Sequence, residues 1–162
     1  MSQSVSTSTD TRPSQPTAPV DPAAPRLPVA VRDLVLLGAR VLLGVILIAH
    51  GLQKLLTNGI AGTAAGFEQG GVPLPLVSAG FAAGVETLGG LLLVLGLLTP
   101  LVGLLVAGVM AGAFWFVHMG QGLFAADGGW ELVAVIGLAA LTFAVTGPGR
   151  FSLDALLGRR RS

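Results

Sequence analysis

Six ionisable side chains sit in or beside long apolar runs: Arg40, His50, Lys54, Glu86, His118 and Glu131. Imidazoles and carboxylates hold or pass protons near neutral pH, and an ammonium or guanidinium pairs with an anion. His50 and Lys54, in the stretch IAHGLQKLL, are one helical turn apart and offer donors to one region. Arg40 lies fourteen residues before Lys54, which returns it to nearly the same helix face. His50, His118, Glu86 and Glu131 are acceptable metal ligands by type. No short His-x-His or Glu-x-x-His spacing preassembles a site, so no metal is expected. No serine in the apolar runs has a nearby histidine and acid, which removes the support for serine-type catalysis. Gly70-Gly71 opens a turn before Val72-Pro73 and does not form a phosphate-cradling nest.

The elements that must position these groups are set by composition. Only 10% of the 162 residues are charged and 52% are hydrophobic, whereas an ordinary soluble domain has about 25% charged residues. The mean hydropathy of +0.82 agrees, and the chain reads as a one-domain membrane protein. With no cysteine, disulfides, thiolate metal sites and thiol redox chemistry by this chain are excluded. No basic or acidic run suggests a nucleic-acid partner. The first 28 residues carry six of the ten prolines, and 1–31 is expected to be a disordered tail. No signal-peptide cleavage is expected, because the apolar core starts only near residue 34 and is long enough to span.

An all-α, four-helix transmembrane bundle is expected, with spans at about 34–53, 76–98, 101–119 and 130–146. Pro73 and Pro75 mark the approach to the second span, and Thr99-Pro100 breaks it from the third. The stretches 54–74 and 120–129 read as loops, and 157–162 as a basic tail. Arg26 and Arg32 flank the first span, and Arg150, Arg159, Arg160 and Arg161 come after the last, while the two loops hold only Lys54. Lys and Arg favour the cytoplasmic side, so both termini are expected there, in a multi-pass protein. Gly80-x3-Gly84 and Gly108-x3-Gly112 are expected to bring helices close together.

Depth separates the six groups. Glu86 falls near the midplane of the second span and is too short to reach water, so it needs a partner or a cavity. Arg40 lies about 9 Å inside the cytoplasmic end of the first span. It either snorkels to headgroups or joins the polar face. His118 and Glu131 stand at span ends, where water alone explains them, and Glu131 also suits a helix N-terminus. Trp115 and Trp130 read as interfacial or packing aromatics. Taken together, the polar groups suggest a pocket with His50 and Lys54 as its outer wall and Arg40, Glu86, His118 and Glu131 as the other candidate members.

The series Arg40-x9-HGLQK, QGGVPLP, VETLGGLLLVLGLLTP, FVHMGQG, WEL and GPGRFSLD resembles the DoxX family of small bacterial membrane proteins over roughly residues 32–156. The resemblance implies a four-helix bundle in the bacterial plasma membrane and kinship with the small subunit of thiosulfate:quinone oxidoreductase. It also implies that His50, Lys54, Glu86, His118 and Glu131 are the characteristic polar positions. With no flavin, haem or iron–sulfur motif and no intrinsic cofactor evident, quinone is the cofactor it suggests. Electrons would come from a soluble oxidoreductase partner. Membrane lipid and a second copy of the chain are the other expected partners. The alternative to a quinone-linked subunit is a non-catalytic anchor or assembly scaffold. A small-solute or proton transporter is a third class, disfavoured by four short spans with no repeat between halves.

Overall fold

The computed structural model describes residues 28–159. The expected disordered tail lies almost wholly outside the described residues, as do the last three residues of the basic tail. Within them the chain is all-helical. The helices are α1 (Val29–Thr57), α2 (Gly59–Gln69), α3 (Pro75–Leu95), α4 (Thr99–His118), α5 (Glu131–Thr146) and α6 (Leu153–Arg159). Helices α1, α3 and α4 are each long and apolar enough to cross a membrane. Helix α5 is apolar but has only 16 residues, about 24 Å of rise.

Prolines and left-handed residues set the starts. Pro28 precedes α1, while α3 and α4 begin after Leu74 (φ 48°) and Leu98 (φ 53°), each with proline in the first helical turn. Proline costs nothing there, because the first N–H groups of a helix lack intrahelical acceptors. Gly96, at φ 66°, closes α3 and permits a three-residue reversal into α4.

The four long helices form two intimate pairs, α1 with α3 and α4 with α5. Glycine sets the first crossing. A Cβ on Gly44 would lie 2.6 Å from the Gly90 carbonyl oxygen, and one on Gly90 would lie 2.7 Å from that of Gly44. Farther along, a Cβ on Gly51 would lie 2.7 Å from the Thr87 backbone nitrogen. In the second pair Gly103 meets the Ala140 carbonyl in the same way, at 2.6 Å. Leu43, Leu47, Leu93, Val102, Val106, Met110, Ile136, Ala140 and Phe143 form the shared core, while leucines such as Leu42, Leu88, Leu104 and Leu138 face outwards. That inversion suits a hydrocarbon surround, where close packing and not exclusion from water holds helices together.

Two expectations are corrected. The stretch 54–74 is not a loop: α1 runs on to Thr57, and after a turn at Asn58-Gly59 the small residues of GIAGTAAGFEQ form α2, which packs on α3 and buries Thr63 and Ala64. Nor do the two expected glycine pairs make helix contacts. Nothing lies within 4 Å of a Cβ on Gly80, Gly84, Gly108 or Gly112. Spacing marks a smooth helix surface, and here that surface faces open space.

Both ends of the described chain meet at one end of the bundle. Arg150 Nε is 3.8 Å from the buried Asp33 carboxylate. Asp154 accepts hydrogen bonds from the backbone N–H groups of Leu98 (2.9 Å) and Thr99 (3.1 Å) at the start of α4. A residue of the C-terminal helix thereby caps a membrane helix, supplying a carboxylate where N–H groups are orphaned.

Candidate functional site

A cavity of about 570 Å³ occupies the half of the bundle nearer the interhelical connections, within the range of small-molecule sites. Its walls are mainly apolar, with Leu47, Phe81, Val109, Met110, Phe116 and Ile136 among them, and four ionisable side chains reach it: His50, Lys54, Glu86 and His118. Helix α1 contributes His50 and Lys54, α3 Glu86, and α4 His118.

Lys54 Nζ donates to Glu86 Oε2 at 2.7 Å. Glu86 is 3% exposed, and the Lys54 side chain 19%. The expected partner for the midplane carboxylate therefore comes from the first helix, through Lys54. The close α1–α3 crossing at Gly51 and Thr87 makes this reach available, since larger side chains there would hold the backbones apart.

Each histidine is oriented by a carbonyl. His50 Nδ1 donates to Ile46 O at 2.9 Å, one turn back in α1, and His118 Nδ1 donates to Gly128 O at 2.6 Å across the second connection. A carbonyl only accepts, so the proton sits on Nδ1 in both rings. Among the described residues neither Nε2 has a hydrogen-bond partner. Each is left to accept from a ligand when neutral, or to donate when the ring is charged.

Three of the four groups lie in π-helical turns. Gln53–Thr57 carries Lys54, Val85–Gly89 carries Glu86 and Phe114–His118 carries His118. A π turn holds one residue more than an α turn, so it re-aims side chains, and such turns are frequent at functional sites. Nothing in the amino-acid pattern marks them.

The cavity is roofed from the connection side. Phe67, Val72 and Pro73 line it from α2 and the segment leading to α3. This segment crosses to the top of α4, where a Cβ on Gly70 would lie 2.7 Å from the Phe116 carbonyl oxygen. Ala125 and Gly129 line it from the other connection. Gly108 and Gly112 also line it, and their missing side chains leave room in the cavity.

Two candidates stand apart. Glu131 accepts from the Ala125 backbone N–H at 2.8 Å. It ties down the second connection at the start of α5, while the neighbouring Leu132 and Val133 line the cavity. Arg40 is only 1% exposed and donates from Nη1 to Pro148 O and from Nη2 to Phe151 O, both at 2.6 Å. It neither snorkels nor joins the cavity. Though on a similar helix face, it lies about 15 Å below His50 by helical rise, and backbone carbonyls of the C-terminal segment take up its planar fork. Among the described residues no cluster of three His, Cys, Asp or Glu could hold a metal. Phe114 and Trp130 pack edge-to-face with centroids 5.8 Å apart, a packing role for Trp130.

The sequence model of the DoxX family matches residues 35–119, just over half of the chain. The match includes Arg40 and all four ionisable residues of the cavity. No curated protein and no solved structure matches the chain.

Proposed function

This chain belongs to the DoxX family of membrane proteins, and from that premise we propose that it is a quinone-facing subunit of a membrane redox complex. The observation that carries the reading is the pairing of an apolar cavity with polar groups of the right kind. Two imidazole Nε2 atoms lack partners among the described residues, and an ammonium is held by a buried carboxylate. A quinone has an apolar ring with carbonyl oxygens that accept hydrogen bonds, and the quinol offers hydroxyls in return. Lys54 suits a carbonyl oxygen as a donor, Glu86 fixes the ammonium, and His50 or His118 can hold a proton at Nε2. Reduction of a quinone to its quinol takes up two electrons and two protons. The electrons come, in this reading, from a soluble oxidoreductase partner.

In this reading the terminal end of the bundle faces the cytoplasm of a bacterial cell, which the arginine-rich flanks support, and the cavity belongs to the opposite half of the plasma membrane.

The test is titration of the purified protein in nanodiscs with a tailless benzoquinone. Saturable binding that weakens at least tenfold in His50→Ala is expected. A folded protein that shows no saturable binding overturns the reading.

A second reading, a non-catalytic anchor for a partner oxidoreductase, draws on the closed Lys54–Glu86 pair, which also ties α1 to α3. Under that reading Glu86→Gln lowers thermal stability, a partner still co-purifies, and quinone binding is absent.

A further inference from the structure

We propose that the ligand of this cavity is an amphiphile whose apolar chain lies along the seam between α3 and α4, so that it enters from the bilayer. The inference rests on the quinone-facing reading for the head and adds the tail and its route. Away from the roof, a second, apolar groove of about 320 Å³ adjoins the cavity at Phe81. Phe81 lines both. The groove runs along α3 through Gly80, Gly84, Leu88 and Leu92, with Val102 and Leu105 of α4 opposite.

Three observations support a chain in that groove. First, its only residues are apolar, so it offers a head group nothing to hydrogen-bond. Second, Gly80 and Gly84 have nothing within 4 Å of a would-be Cβ. Their spacing therefore hollows out the groove and serves no helix contact inside the chain. Third, α3 and α4 approach each other around Val85–Gly89 and are not in close contact beyond it toward the roof, and Phe81, which lines both spaces, is itself 55% exposed on the outer surface. From Phe81 to Leu92 the groove runs about 16 Å by helical rise, roughly half the hydrocarbon thickness of a bilayer. The occupant is thus the alkyl or isoprenoid tail of the molecule whose head sits among Lys54, His50 and His118. Phe81 stands where head and tail join.

Binding of a tailless benzoquinone and of its decyl homologue to the protein and to Gly84→Leu, in identical nanodiscs, tests this. Partition into the bilayer is the same for both proteins and cancels in the comparison. A Cβ at position 84 meets nothing within 4 Å, so a leucine there projects into the groove. The expected result is unchanged affinity for the tailless probe and at least a tenfold loss for the decyl homologue, with Gly80→Leu behaving alike and thermal unfolding unaltered. If the decyl homologue keeps its full advantage in both variants, the groove holds only bulk lipid; the inference falls while the head-group reading stands. If neither probe binds the unaltered protein, both readings fall together.

Discussion

Lys54 and Glu86 form the one ion pair that joins two membrane helices among the described residues, and its worth lies in what removal of one member leaves behind. An ammonium or carboxylate stranded in a medium of low dielectric costs several kcal/mol, whereas replacing both by apolar groups of similar size is nearly neutral. Glu86→Met alone is therefore expected to lower the unfolding free energy by about 2–4 kcal/mol, and Lys54→Met/Glu86→Met to recover most of that loss. Thermal unfolding in mild detergent reads both; equal losses in the single and double variants would count against a pair held in a dry environment. The need of Glu86 for company was legible from its depth alone, because a short carboxylate at the midplane has no route to water. The partners of Arg40 were not legible. They are backbone carbonyls of Pro148 and Phe151, more than a hundred residues away, and no side-chain type advertises them.

Helix contacts turn on which glycines touch something. A methyl group on Gly51 would strike the backbone of the neighbouring helix at Thr87, whereas one on Gly108 meets nothing within 4 Å. Gly51→Ala is expected to destabilise by about 1–3 kcal/mol, as overpacking does. Gly108→Ala is expected to be neutral or to stabilise by up to about 1 kcal/mol through helix propensity. Chemical unfolding of the two variants side by side checks the contrast, and a similar loss in both would refute it. Hydropathy marked four apolar helices, since a bilayer-length apolar run has few other uses, although α1 reaches beyond the expected 34–53 to Val29–Thr57. It misread residues 59–69, whose small and polar side chains resemble a loop until they pack on α3. It also misassigned Gly80, Gly84, Gly108 and Gly112, because spacing describes a surface and does not say what that surface faces.

At the scale of the whole molecule the two ends of the bundle do different work. At the terminal end Arg40, Asp33–Arg150 and Asp154 fasten the C-terminal segment to the helices; the other end is hollow. The expectation of an even number of spans made the shared location of the termini legible, but not the fastening, since Asp154 looks like any polar residue in a tail. Asp154→Ala removes the carboxylate from the start of α4 and is expected to cost about 0.5–2 kcal/mol. It should also speed proteolysis within residues 148–152 while leaving quinone-probe affinity within twofold. Limited proteolysis alongside the probe titration measures both, and a large change in affinity would show the two ends to be coupled.

The three π turns bear on how such a site is gained or lost. Each wide turn takes up one residue more than an α turn, so it absorbs what would otherwise rotate the remainder of the helix by about 100°. Deleting one residue within Val85–Gly89 is expected to restore an ordinary α turn, removing the widened backbone that carries Glu86 and parting its carboxylate from Lys54. The feature that arms this protein is thus a matter of counting: three wide turns in three helices, each accommodated without ending its helix.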